Sequence, residues 1–242
     1  MKSKADLPAS KDYLECEKTW IFALLMVVAG YLGAFTYLLR GGVFCNAQTG
    51  NLVLLGIAFG EKNWSRALYL ILPISAYFLG ALVSEIVPGP MRRGKLIRWD
   101  TLFIMVEIVA VIVLGLIPES APYQITQVTV NFICSMQYNT FRQAQGVPMA
   151  TTFCTNHLRQ FAIAIAKYCK HREHAQLMRL LSHLLMLAVF VAGVAVSTVL
   201  CHIFKGKAAF FALVPLVIIL IDFLHADLKK EKGCREKIPG GH

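Results

Sequence analysis

Apolar runs long enough to cross a bilayer recur along nearly the whole chain: Trp20 to Leu39, Ala67 to Val87, Thr101 to Ile117, Tyr123 to Phe141, Leu180 to Cys201 and Ala208 to His225. A helix needs roughly 20 apolar residues to cover a hydrocarbon core of about 30 Å. Beta-barrel spans would alternate polar and apolar residues, and these runs do not. The 242 residues are 57% hydrophobic and only 16% charged, with mean hydropathy +0.59, so too few polar faces remain to cover a soluble bundle. The expectation is an all-α, polytopic membrane protein. Its first run follows a mixed-charge segment and is not followed by a clean small-x-small cleavage pattern, so it reads as an uncleaved span.

Two polar clusters interrupt this pattern at matching places in the two halves. The first is Asn46-Ala47-Gln48-Thr49-Gly50-Asn51-Leu52, the second Thr151-Thr152-Phe153-Cys154-Thr155-Asn156-His157-Leu158; Thr49 and Thr155 stand 106 positions apart, as do Leu52 and Leu158. Each leads into an apolar stretch only half a span long before charge returns at Glu61-Lys62 and at Lys167. Hydrogen-bonding groups at membrane depth need partners or water, so paired clusters point to a functional element.

Loop charge bears on how these half-length segments run. If they do not cross, 18 Lys and Arg fall on the cytoplasmic side and 5 outside; if all eight segments cross, the split is 15 to 8. The positive-inside rule favours the first arrangement: six full spans plus two short, broken, re-entrant-like segments in two internal repeats of opposite orientation. The alternative is eight spans with parallel repeats. On the six-span reading residues 1–19 are a cytoplasmic tail, 20–226 one membrane domain (repeats at about 20–117 and 123–226), and 227–242 a basic cytoplasmic tail. Duplication is also echoed in Tyr77 to Ser84 against Phe190 to Ser197, at an offset of 113, and in Gly33-Ala34-Phe35 against Asn139-Thr140-Phe141 at 106. The small-x-x-x-small pairs Gly80/Ser84, Gly193/Ser197 and Gly56/Gly60 read as packing faces. Trp20, Trp64 and Trp99 fit interface positions, and Pro73 and Pro215 are expected to kink the spans that hold them.

The span from Tyr123 to Phe141 carries an ordered polar stripe, Gln124, Gln127, Asn131, Ser135, Asn139 and Arg142, in steps of three and four that keep it on one helix face. Such a stripe either ties helices together or lines a hydrated path. Thr126, Thr129 and Gln137 lie off it. Arg159, just after the second cluster, needs a partner within the membrane, and Glu107 is the expected one; Glu85 and Asp222 sit near span ends and can reach the head groups. Candidate substrate-binding residues are Asn46, Gln48, Thr49, Asn51, Gln127, Asn131, Asn139, Thr152, Thr155, Asn156 and His157.

The formal charge of +10 is accounted for by short loops and tails that set orientation and meet anionic lipid, so nucleic acid is not an expected partner. The seven cysteines are scattered and odd in number, without a Cys-x-x-Cys, so no disulfide framework, metal site or cofactor is expected. There is no nucleophile elbow, His-Glu-x-x-His or phosphate loop, and His157 beside hydroxyls is weak evidence for catalysis, so no catalytic residue is assigned. His183, His202 and His225 near span ends read as interfacial.

The run Gly41 to Gly56, with its Thr49-Gly50-Asn51, resembles the signature of the YoaK family of bacterial multipass membrane proteins, and Met136 to Arg142 leading to Gly146-Val147 and Ala150 to Phe153 resembles its second-half counterpart. The similarity covers about Ile21 to Leu224. Relatives carry an acid in a Gly-Tyr-x-Asp motif where this chain has Gly30-Tyr31-Leu32-Gly33, and a second Thr-Gly where it has Thr155-Asn156. The resemblance implies a bacterial inner-membrane protein of largely unknown biochemistry. The expected function is a small-solute transporter or channel with its site between the two clusters and both termini cytoplasmic. The competing readings are a non-transporting lipid-binding or scaffold protein and, third, an intramembrane enzyme. The expected partners are the lipid bilayer and a small solute, with a homo-oligomer as a further arrangement.

Overall fold

The computed structural model describes residues 13–88 and 97–231. Arg92, Arg93 and Lys95 of the basic cluster, and most of both tails, lie outside the described residues. Among the described residues eight α-helices carry the chain: α1 (Thr19–Leu39), α2 (Gln48–Gly60), α3 (Trp64–Ile86), α4 (Trp99–Leu116), α5 (Tyr123–Thr140), α6 (Thr155–His171), α7 (His174–Phe204) and α8 (Leu213–His225). Among the described residues four helical segments are long and apolar enough to cross a membrane: α1, α3, α4 and the continuous stretch His174–Lys230. The last holds α7 and α8, joined by a 3-10 segment, Lys205–Ala212. Lys205 stands at φ 49, ψ -130 where α7 stops, so the stretch is not one straight rod. Helix α5 is not among the four, because its polar stripe dilutes its apolarity.

Contacts fix how these helices run. Thr19 shares a groove with Ala175 and Met178, and Leu39 and Arg40 share one with Cys201 and His202, so α1 and α7 are parallel. Ser135 meets Tyr77 and Asn139 meets Ser84, so α3 and α5 are parallel too. Gln127 near the start of α5 bonds the carbonyl of Arg40, whereas Gln137 near its end reaches that of Leu25, so α5 runs against α1. The bundle therefore has an Arg40 end and a Thr19 end.

Glycine makes both parallel pairs close. A Cβ on Gly193 would strike the carbonyl oxygen of Val27, one on Gly30 that of Phe190, and one on Gly80 that of Phe132. The contacts match across the halves: Val27 and Phe132 receive Gly193 and Gly80, and the carbonyls of Phe190 and Tyr77 receive Gly30 and Ser135, whose hydroxyl donates to Tyr77 at 2.5 Å. Ser197 donates to the Tyr31 carbonyl at 2.8 Å. Gly56 and Gly60, expected to form another such face, have nothing within 4 Å. Pro73 lies inside α3, but Pro215 occupies the first turn of α8, where its missing N–H costs no helical bond and produces no mid-helix kink.

At the Thr19 end a two-stranded hairpin, β1 (Gln143–Ala144) and β2 (Val147–Pro148), turns through Gln145 (φ 48) and Gly146 (φ 77). The Gln145 amide donates to the Glu17 carbonyl at 2.8 Å, docking the segment before α1 on the hairpin. Beside it Arg98, one of the loop cations counted for orientation, is buried. It bonds Asp100 at 2.9 Å and Glu231 at 2.7 Å, and its amide donates to Asp227 at 3.0 Å. Burial works against the Arg98 charge, but Asp100, Cys16 and Glu231 more than compensate and hold the guanidinium protonated. Burial pushes the Glu231 carboxyl above its ordinary range, against the pull of the Glu15 amide and Arg98. The first residues of the C-terminal segment are thus packed rather than a free basic tail, because acids there pair with a buried arginine.

Candidate functional site

Both polar clusters reach the interior at neighbouring levels. Before α2, Asn46 donates to the Ala29 carbonyl near the middle of α1, and Gln48 hydrogen-bonds Asn131 of α5. Asn51 donates to Gln48 at 3.0 Å, and Asn131 to the Gln127 carbonyl at 2.7 Å. Before α6, the Thr151 carbonyl accepts from Gln137 at 2.9 Å, and the same amide reaches the Leu25 carbonyl at 3.5 Å. Ala29 and Leu25 are one turn apart on α1, so the tips lie within about 6 Å of each other in depth.

From these tips the two short helices leave by opposite ends. Helix α2 climbs from the Asn131 level to the turn that opens α3, whose start lies at the Arg40 end. Helix α6 begins against His183 of α7 and returns to the start of α7 at the Thr19 end. Neither N-terminus has a side-chain cap, so first-turn backbone N–H groups at both tips are left without one.

Several buried polar atoms have no hydrogen-bond partner among the described residues. Glu107 of α4 is fully buried with both carboxyl oxygens unbonded, and Gln137 Oε1, Thr151 Oγ1 and Thr152 Oγ1 are likewise buried and unbonded. Unbonded buried groups of this kind cost about 1–3 kcal/mol each unless water or a ligand satisfies them. Beside the second cluster lies a cavity of about 260 Å³ lined by Tyr138, Asn139, Arg142, Met149, Ala150 and Asn156.

The sequence candidates divide. Asn46, Gln48, Asn51, Gln127, Asn131, Thr152 and His157 lie on or beside the tips, whereas Thr49 and Thr155 are exposed. Asn139 and Ser135 instead tie α5 to α3, Asn139 through Ser84 (2.9 Å) and Glu85 (3.0 Å), so this part of the polar stripe holds helices together. The Arg159–Glu107 pair does not form. Arg159 is exposed and bonds Asn156 at 3.2 Å, because α6 is amphipathic and turns that face outward, while Glu107 is buried on another helix. Glu85 pairs instead with Arg142 at 2.5 Å.

His157 is held on both ring nitrogens. Its Nε2 lies 2.7 Å from the Ala150 carbonyl and must donate there, which makes Nδ1 an acceptor for His183 Nδ1–H at 3.0 Å. His183, expected at an interface, is thus buried at a helix contact. Among the described residues no group of three or more His, Cys, Asp or Glu is placed to hold a metal ion.

Sequence reasoning missed Gln137, Thr151 and Arg40. Gln137 falls off the stripe that drew attention. Arg40 read as the polar end of a span, yet it is 1% exposed, donating to the carbonyls of Ile117 (3.2 Å) and Pro118 (3.3 Å) past the end of α4.

A sequence model of a family described as "Protein of unknown function (DUF1275)" matches residues 21–221. No curated protein and no solved structure matches the chain.

Proposed function

The chain belongs to the DUF1275 family, and from that premise we propose that it is a bacterial inner-membrane transporter or channel for a small solute. Six segments cross the membrane, the termini are cytoplasmic, and the halves are inverted repeats whose α2 and α6 re-enter from opposite faces. The solute binds where the two tips meet, through backbone N–H groups, the Gln48, Asn51 and Asn131 amides, Gln137 and the hydroxyls of Thr151 and Thr152. Opposed broken segments converging between repeats are an arrangement from which access can alternate.

One observation carries this reading: two uncapped helix tips converge within about one turn of α1, beside buried side chains whose polar atoms the protein leaves unbonded. A polar interior of this kind is costly in a scaffold and useful in a pathway. Matching crossings at Gly80 and Gly193, and at Ser135 and Gly30, support the repeat.

Uptake into proteoliposomes from a panel of small solutes tests the proposal. At least one solute is expected to cross, and Asn51→Ala and Gln137→Leu are expected to reduce its flux tenfold or more while the protein stays folded. An apolar groove of about 250 Å³ between α1, α7 and the segment leading into α8, lined by Val27, Tyr31, Val196, Leu200, Phe211 and Pro215, favours lipid binding as the second reading. Absence of flux for every solute, with lipid retained through purification, would leave that reading standing.

A further inference from the structure

A second site stands apart from the tips, at the Arg40 end. We propose that the cavity there binds a short-chain carboxylate anion, held by the guanidinium of Arg40 and the ammonium of Lys205. The cavity is about 340 Å³ and is lined by Arg40, Lys205, His202, Tyr123, Glu119 and Gly206 among others. That volume is at the small end of ligand pockets.

Three observations carry the assignment. Arg40 is 1% exposed, yet no ion pair among the described residues includes it: its Nη atoms meet neutral carbonyls, and its Nε is buried without a partner. The guanidinium has the Phe35 ring 5.9 Å away but no ion pair among the described residues, and an arriving carboxylate offers the geometry that its fork of donors matches. Lys205 likewise lacks an ion-pair partner among the described residues, and it sits at φ 49, ψ -130, a conformation that glycine would adopt with far less strain. A lysine kept at such a place brings its charge to the cavity. Finally, the cavity lining carries two permanent cations against one acid, Glu119, an excess that suits a monoanion, while Leu39 and the Tyr123 ring offer apolar contact for a short chain.

The site also touches the polar interior. The Gln127 side chain donates to the Arg40 carbonyl, and the Gln127 backbone carbonyl accepts from Asn131, which bonds Gln48, so Gln127 links the cavity end to the first tip. Binding at this end is nevertheless independent of whether any solute crosses.

Titration of the purified protein in nanodiscs with butyrate tests the site, read by calorimetry and by the thermal unfolding midpoint. Butyramide at the same concentrations, chloride at the same ionic strength and inorganic phosphate are the comparison arms. Butyrate is expected to bind saturably, butyramide and chloride not to, and phosphate to bind no more tightly than butyrate. Lys205→Gln is expected to raise the half-saturating concentration at least tenfold, and Lys170→Gln, on an exposed stretch of α6, to leave it unchanged. Arg40→Gln should abolish binding; if that variant does not fold, Lys205→Gln decides. Equal binding of butyramide, saturation by phosphate but not butyrate, or an unchanged response in Lys205→Gln would overturn the proposal.

Discussion

Near the tips, single residues are held by a few buried hydrogen bonds. His157 is the clearest case, since one ring satisfies the Ala150 carbonyl and accepts from His183. His157→Phe would leave a buried carbonyl and a buried N–H unpaired, and should lower stability by about 1–3 kcal/mol, read as the unfolding midpoint in detergent. Arg159 is the opposite case. Exposed and bonded only to Asn156, it should tolerate Arg159→Ala within about 0.5 kcal/mol; loss of folded protein in that variant would mean that it has a buried partner after all. The sequence placed the costly arginine one repeat too late. A guanidinium inside an apolar run draws attention, whereas Arg40, beside two glycines at the end of a run, looks solvated until the fold closes over it.

Among the elements, the helices follow their apolar runs closely, because membrane-length hydrophobicity is a strong local signal. The short helices were legible from a second local signal, the early return of charge at Glu61-Lys62 and Lys167. The hairpin at 143–148 was not, since Gln145 at φ 48 is an unusual residue for its turn and the docking of Glu17 on it is a long-range contact. Which small residues pack was legible for Gly80 and Gly193 but not for Gly56 and Gly60, because identical spacing says nothing of what lies opposite. Gly80→Leu and Gly193→Leu should each break a parallel helix pair, lowering stability by about 1–3 kcal/mol or more, whereas Gly56→Leu should be tolerated in the single chain. Thermal midpoints of the three variants check this.

For the molecule as a whole, the pairings α1 with α7 and α3 with α5 exchange helices between the halves, and the two tips lie at neighbouring depths along α1. Loop charge alone gave the orientation only a modest preference, and the contacts add an independent constraint: α2 leaves toward the Arg40 end and α6 toward the Thr19 end. The central claim is that these two segments re-enter from opposite faces. Single-cysteine accessibility at Lys62 and at Gly94, in a background lacking the native thiols, tests it most directly. The account predicts that an impermeant reagent labels Lys62→Cys from outside the cell and Gly94→Cys only from the cytoplasmic side; labelling of Gly94→Cys from outside, with Lys62→Cys protected, would contradict it.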